Sequence, residues 1–201
     1  MPRRSQEDRS RSTRAALEQA GRRLFAEHGY SGVSAEQIVT AAGVTRGALH
    51  HHYGDKRGLF VAVLERLETE NTAEVAAAVD ALPDTTDLLA AMAVGLRTFL
   101  EINLRPETVR IAMSDGPAVL GWQGWREMEA RHGLGMIIDL VQQAVDAGVA
   151  VRAPVRVLAQ LILSTVTEGG MIVAHAEHPE QARAEVEQSM LLLVGGMLHT
   201  P

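Results

Sequence analysis

An all-α fold is predicted: a three-helix head near the N-terminus, joined by a long helix to a larger helical body. Apolar residues recur every three or four positions almost throughout, and no segment keeps strand-like alternation for long. Pro83, Pro106, Pro117, Pro154 and Pro179 all fall between helical patterns, where proline can occupy a first turn but not an interior.

The first helix is expected from about Thr13 to His28, with Leu17, Ala20, Leu24 and Phe25 on one face and Gly29 as its stop. Ser34 opens a short second helix. Ser34 and Gln37 have the spacing of a capping box, and Ile38, Val39 and Ala42 point inward before Gly43 ends the helix. Thr45 caps the third helix, which runs to about His52. From Asp55 a fourth helix reaches towards Leu82, with Leu59, Val63, Leu67, Val75 and Val79 as apolar positions; at that length it spans roughly 40 Å. Further helices are expected at about 85–104, 107–114, 118–147, 154–176 and 179–198. The division predicted is a head over 1–57, with a basic N-terminal arm, and a body over 58–201.

Charge separates these two parts. Residues 1–57 carry ten lysines and arginines against six acids, and the rest carries nine against nineteen, within an overall net charge of −6. A basic head on an acidic body suits a phosphate-facing domain, although an ordinary basic surface patch has the same composition. The chain has no cysteine, which excludes a disulfide framework, a thiolate zinc site and a cysteine nucleophile, and fits a reducing, cytoplasmic setting. The arginines of the first residues precede no apolar run, and no 18 consecutive apolar residues occur, so neither export nor a membrane span is expected.

The stretch SAEQIVTAAGVTRGALHHHY, Ser34 to Tyr53, places a short helix, a turn at Gly43 and a second short helix at helix-turn-helix spacing. In its second helix Val44, Ala48, Leu49 and Tyr53 recur at inward spacing, which leaves Thr45, Arg46, Gly47, His50 and His51 outward. Arg46 can make a bidentate contact to guanine, and Gly47 lets the backbone approach base edges. Ser34 and Thr45, at helix starts, can bring hydroxyl and backbone N–H groups to phosphates, and Lys56 adds a point charge. A merely structural helical hairpin would not account for this outward chemistry. The histidine run also invites a metal reading, but adjacent helical side chains diverge by about 100° and no further ligand sits beside them, so neither a metal nor a cofactor is expected.

Leu24, Phe25, Gly29 and Tyr30, then Ser34, Ile38, Ala42, Gly43 and Val44, then Gly47, Leu49, His52, Tyr53, Lys56 and Leu59 together resemble the head of the tetracycline-repressor (TetR) family, from Thr13 to about Leu64. The body segment SDGPAVLGWQGWRE is similar to that of some regulators of this type. The resemblance implies a homodimer on near-palindromic double-stranded DNA, repression, and release by a small, largely apolar effector. It places DNA contacts at Ser34, Thr45, Arg46, Gly47, His50, His51, His52 and Lys56. His50 departs from the usual tyrosine, and Tyr53 stands for the usual phenylalanine. A protonated imidazole at position 50 would strengthen phosphate binding as pH falls.

In such regulators the effector lies between the middle helices of the body. Met92, Phe99, Met113, Trp122, Trp125, Met136 and Thr165 are candidate walls, with Glu168, Arg97 and His175 as candidate polar contacts; each is also what a plain core or rim position carries. The segment from Pro106 to Pro117 is the candidate moving piece. Leu158, Leu161, Ile162 and Thr165, with Val186, Met190, Leu193, Val194 and Met197, form apolar stripes expected to pair across a two-fold axis. An enzyme is the rival class, but no phosphate loop, metal spacing or partnered nucleophile supports it. A DNA-binding regulator or activator without an effector is the other alternative.

Overall fold

The computed structural model describes residues 6–83, 88–148 and 154–196, and the described residues are helical with no strand among them. In chain order the helices are α1 (Gln6–His28), α2 (Ala35–Ala42), α3 (Arg46–Tyr53), α4 (Lys56–Asp80), α5 (Leu88–Ile102), α6 (Pro106–Thr108), α7 (Gly116–Asp146), α8 (Val155–His175) and α9 (Pro179–Gly195). A π-helical segment, Val109–Asp115, joins α6 to α7.

The predicted starts and stops of the short helices are realised by their caps. The Gln37 N–H donates to Ser34 Oγ (3.2 Å) while the Ser34 N–H donates to Gln37 Oε1 (2.8 Å), a closed capping box. Ala48 N–H donates to Thr45 Oγ1 (3.2 Å), and Gly58 N–H donates to Asp55 Oδ1 (2.8 Å). Two boundaries differ from expectation. Helix α1 begins at Gln6, a turn and more before Thr13; Glu7 and Asp8 favour the positive helix end there, but this charged turn carries no apolar periodicity to betray it. The segment expected as a plain helix over 107–114 is a single turn followed by a π-helix, and α7 is interrupted at Gly121, whose φ of 74° lies in the left-handed region that glycine tolerates. Arg3, Arg4 and Met197 lie outside the described residues.

One core runs from head to body. Leu17, Phe25, Ile38 and Leu49 of the head pack with Leu59, Phe60, Val63, Leu64 and Leu67 of α4, and then with Ile111, Ala112, Met113, Trp125 and Met128. The rings of Phe25, Tyr30 and Phe60 meet at centroid distances of 5.1–5.9 Å, two of the pairs edge-on. Thus the first turns of α4, beyond the boundary expected at residue 57, belong to the head's packing. A second cluster, Leu96, Leu100, Val173, Val186 and Met190, joins α5, α8 and α9. Helix α8 has the length and apolar composition to cross a membrane, but it packs against α7 and α9 as a body helix.

Candidate nucleic-acid interface and effector cavity

Helices α2 and α3 are joined by Gly43, whose φ of 65° turns the chain and whose N–H caps α2 on the Thr40 carbonyl. A side chain there would strain the turn even though open space surrounds it. Leu49 is buried and anchors α3, and Tyr53 Oη donates to Glu18 Oε1 (2.6 Å), tying α3 to α1. Burial, and then that hydrogen bond, push the Tyr53 phenol up to about 12, so it donates throughout the physiological range. Held this way, α3 exposes Thr45, Arg46, Gly47, His50 and His51 to solvent as one surface, with Ser34 exposed at the start of α2.

The histidines are not equivalent. His50 Nδ1 lies 2.6 Å from the Gly54 carbonyl, which fixes the orientation of the ring on the exposed face. His52 is half-buried; burial, His51 and Arg14 lower its pKa, so it tends to stay neutral. The His51 and His52 rings contact each other edge-on at 4.9 Å, and no cluster of three metal-ligating side chains occurs among the described residues. Lys56, expected as an outward point charge, is turned inward. Its Nζ donates to the carbonyls of Tyr30 (2.9 Å) and Val33 (2.8 Å) and sits 4.0 Å over the Tyr30 ring. The loop between α1 and α2 leaves carbonyl lone pairs open, although that of Tyr30 also accepts from the Val33 N–H (3.3 Å), and Lys56 at the start of α4 is within reach.

In the body a cavity of about 150 Å³ lies between α4, α5, the π-helical segment, α7, α8 and α9. Of the residues predicted for an effector site, Met92, Phe99, Met113 and Met136 line it. Four others do not. Trp122 is 60% exposed just after the break at Gly121, and Trp125 is fully buried against Gly116 and Met128 as core. Thr165 and Glu168 fall on the outward face of α8, one helical step from the cavity-lining Val166 and Thr167. Arg97 pairs with Glu187 (2.8 Å) on the outside, and exposed His175 is held by the Met171 carbonyl (2.9 Å) with Ser114 Oγ at 3.3 Å.

The cavity's polar groups lie elsewhere. Glu68, Glu129 and Asn103 line it, and none was singled out from sequence. A signal was present: Leu64, Glu68, Thr72, Val75 and Val79 follow one helical stripe, so Glu68 stands at a core-facing position of α4. Glu68 sits deep in the protein and raises its pKa to about 8, chiefly by loss of solvation and then by the neighbouring Glu129. By surface area it is half-buried rather than sealed, and it lines the cavity. Buried Glu129 is raised to about 7 by desolvation, against the pull of Thr167 Oγ1 (2.9 Å to Oε2) and Arg126 (3.0 Å to Oε2).

Head and cavity meet in the segment from α6 to Asp115. Thr108 and Met113 line the cavity, while Asp115 Oδ2 accepts from the Tyr30 N–H (2.6 Å) and Glu107 holds the Arg22 guanidinium with two bonds of 2.7 Å. Arg22 also pairs with Glu70 of α4; the Glu107 bonds first, and Glu70 after them, raise its already high pKa further. Arg57 Nε donates to the Val119 carbonyl (3.3 Å) beyond the segment. The same stretch thus touches both the cavity and the head.

Comparisons with known proteins agree with this architecture. Residues 18–63 match the bacterial regulatory proteins of the tetR family, and residues 89–197 match the tetracyclin repressor-like C-terminal domain. The repressor AcnR of Corynebacterium glutamicum is 43% identical over 68 residues, 34% of this chain and 36% of AcnR, so the match spans about a third of that relative's length. A tetR-family transcriptional regulator from Pectobacterium atrosepticum is 32% identical, covers 98% of this chain and 100% of its own, and superposes with a TM-score of 0.85. The FadR regulator of Bacillus subtilis, solved with stearoyl-CoA, shares the fold at 14% identity, with 92% of this chain and 99% of its own covered and a TM-score of 0.70. With a helix-turn-helix head matched on one side and a helical body matched on the other, the chain belongs to the tetR family of bacterial transcriptional regulators.

Proposed function

We propose that the chain is a dimeric, cytoplasmic repressor that grips near-palindromic DNA through α3 and releases it when a small molecule occupies the body cavity. The observation that carries this reading is the segment Pro106–Asp115, which lines the cavity with Thr108 and Met113 and holds the head at Arg22 and Tyr30. A ligand that binds better to one setting of this segment weakens DNA binding by the same coupling energy, commonly about 1–3 kcal/mol. Arg46 reads guanine, Gly47 admits the backbone to the base edges, and Ser34, Thr45, His50 and His51 meet phosphates. His52 serves at the edge of this surface, and Lys56 acts by bracing the loop beneath it.

Dimerisation through α8 and α9 is supported by an apolar face left uncovered on a single chain. Val157, Leu161 and Ile172 of α8 and Leu192 and Leu193 of α9 are 49–73% exposed, and Thr165 and Glu168 share that side of α8. Two copies would bury this face as a four-helix bundle and set the heads about one DNA turn, roughly 34 Å, apart. The test is selection of bound fragments from genomic DNA by the full chain, followed by titration of a selected fragment. Enrichment of a two-fold symmetric site bound by two chains is expected; binding indifferent to sequence would refute the reading.

A further inference from the structure

We propose that the cavity selects an apolar ligand carrying one cationic, ammonium-type group, seated against Glu68. The proposal rests on the reading of this cavity as the effector site and adds the chemistry of what enters it. The walls are mostly apolar, and among the described residues the only charged side chains that line the cavity are Glu68 and Glu129. No lysine, arginine or histidine lines it among the described residues, so an anion would meet two carboxyl groups, of which only Glu129 has a cationic partner, and no positive group of the wall.

The two acids differ in what they lack. Glu129 already has Arg126 and Thr167 on Oε2, whereas Glu68 has neither hydrogen bond nor ion pair among the described residues. A buried carboxylate without a partner is costly, and a neutral guest gives it no counter-charge; a cation does. Two further features fit an ammonium. Asn103 is fully buried on the cavity wall, its amide nitrogen donating to the Phe99 carbonyl (2.8 Å) while its Oδ1 has no partner, so an acceptor waits for a donor from the cavity. Phe99 contributes an aromatic ring to the same wall, and such rings attract cations. A cavity of about 150 Å³ suits a single ring, since an apolar cavity of that order accepts benzene.

Binding of the cation is coupled to proton loss. Glu68 from α4 and Glu129 from α7, the latter with Arg126 beside it, are the titratable groups facing the guest; α5, the π-helical segment, α8 and α9 present none to the cavity. With the two acids raised to about 8 and 7, the empty cavity holds protons that the cation must displace. Affinity then falls by up to about tenfold per pH unit on going from pH 8 to pH 6.

The experiment titrates the full chain with benzylammonium, benzyl alcohol and benzoate by calorimetry at pH 6, 7 and 8. Like a lysine side chain, benzylammonium stays charged over this range. The expected result is benzylammonium at least about tenfold tighter than benzyl alcohol at pH 8, with a preference that shrinks towards pH 6 and collapses in Glu68→Gln while benzyl alcohol binding is retained. Val166→Phe, which fills the cavity, should abolish binding of both. Equal or tighter binding of benzyl alcohol or benzoate, lost in Val166→Phe, would overturn the charge selection and leave the cavity as a ligand site. Benzylammonium binding that survives Glu68→Gln unchanged would overturn it as well. Failure of all three probes to bind would overturn the cavity reading together with it.

Discussion

Replacing Glu68 by glutamine should make the protein more stable at neutral pH, and by an amount that grows with pH. The carboxyl group's ordinary value is 4.5 and the folded protein raises it to about 8. The folded state therefore holds the proton more tightly than the unfolded chain, so this group's contribution is fully present below pH 4.5 and is lost as pH rises to about 8. Each pH unit in that window costs about 1.4 kcal/mol, which reaches about 4 kcal/mol by pH 7.5 as a ceiling and about half that if water in the cavity solvates part of the charge. Glutamine keeps the shape and removes the titration. Urea unfolding of both proteins, followed by far-ultraviolet circular dichroism from pH 5 to pH 8, measures the difference directly. Near-equal stabilities at pH 5 and a gap of about 2–4 kcal/mol at pH 7.5 are expected. Parallel profiles across that range would refute the claim that Glu68 is deprived of solvent and partner.

Three further outcomes follow from the site. Arg46→Ala should cost about 1–3 kcal/mol on a selected operator and much less on random DNA, measured by competition binding; equal losses on both would remove Arg46 from base reading. Lys56→Met should lower the midpoint of thermal unfolding, by about 1–3 kcal/mol in stability, because the Tyr30 and Val33 carbonyls lose the Lys56 ammonium as donor. An unchanged melting temperature together with weakened DNA binding would instead restore Lys56 as a phosphate contact. His50→Ala should weaken binding to operator and random DNA alike in the same competition assay, as loss of a phosphate contact does, and unaltered affinity on both would remove His50 from the interface.

The head was legible in the sequence because its signals are local. Ser34, Thr45 and Asp55 cap helices by contacts within three residues, and Gly43 marks the turn through its own backbone conformation. The outward residues of α3 followed from helical spacing alone. Lys56 was misplaced because its partners, the Tyr30 and Val33 carbonyls, lie more than twenty positions away and only the fold brings them near. The same limit governs the body. Met92, Phe99, Met113 and Met136 reach the cavity, but Thr165 and Glu168 miss it by one helical step to Val166 and Thr167, a rotation that periodicity does not settle on an α8 apolar over most of its surface. The π-helical segment has no distinctive composition, and Trp125 and Trp122 are three apart yet one is core and the other exposed. Glu68 was overlooked because an acid in a long helix ordinarily reads as a solvated position.

The central claim is that occupancy of the cavity is read by the head. It is tested most directly by filling the cavity covalently and measuring DNA affinity. Val166→Phe places a ring in the space that an effector would occupy, and Asp115 and Glu107 carry any shift of their segment to Tyr30 and Arg22. Operator affinity about 5- to 150-fold weaker than that of the unmodified chain, with helical content unchanged, is predicted. Unaltered operator affinity in a variant that no longer admits benzyl alcohol would contradict the account.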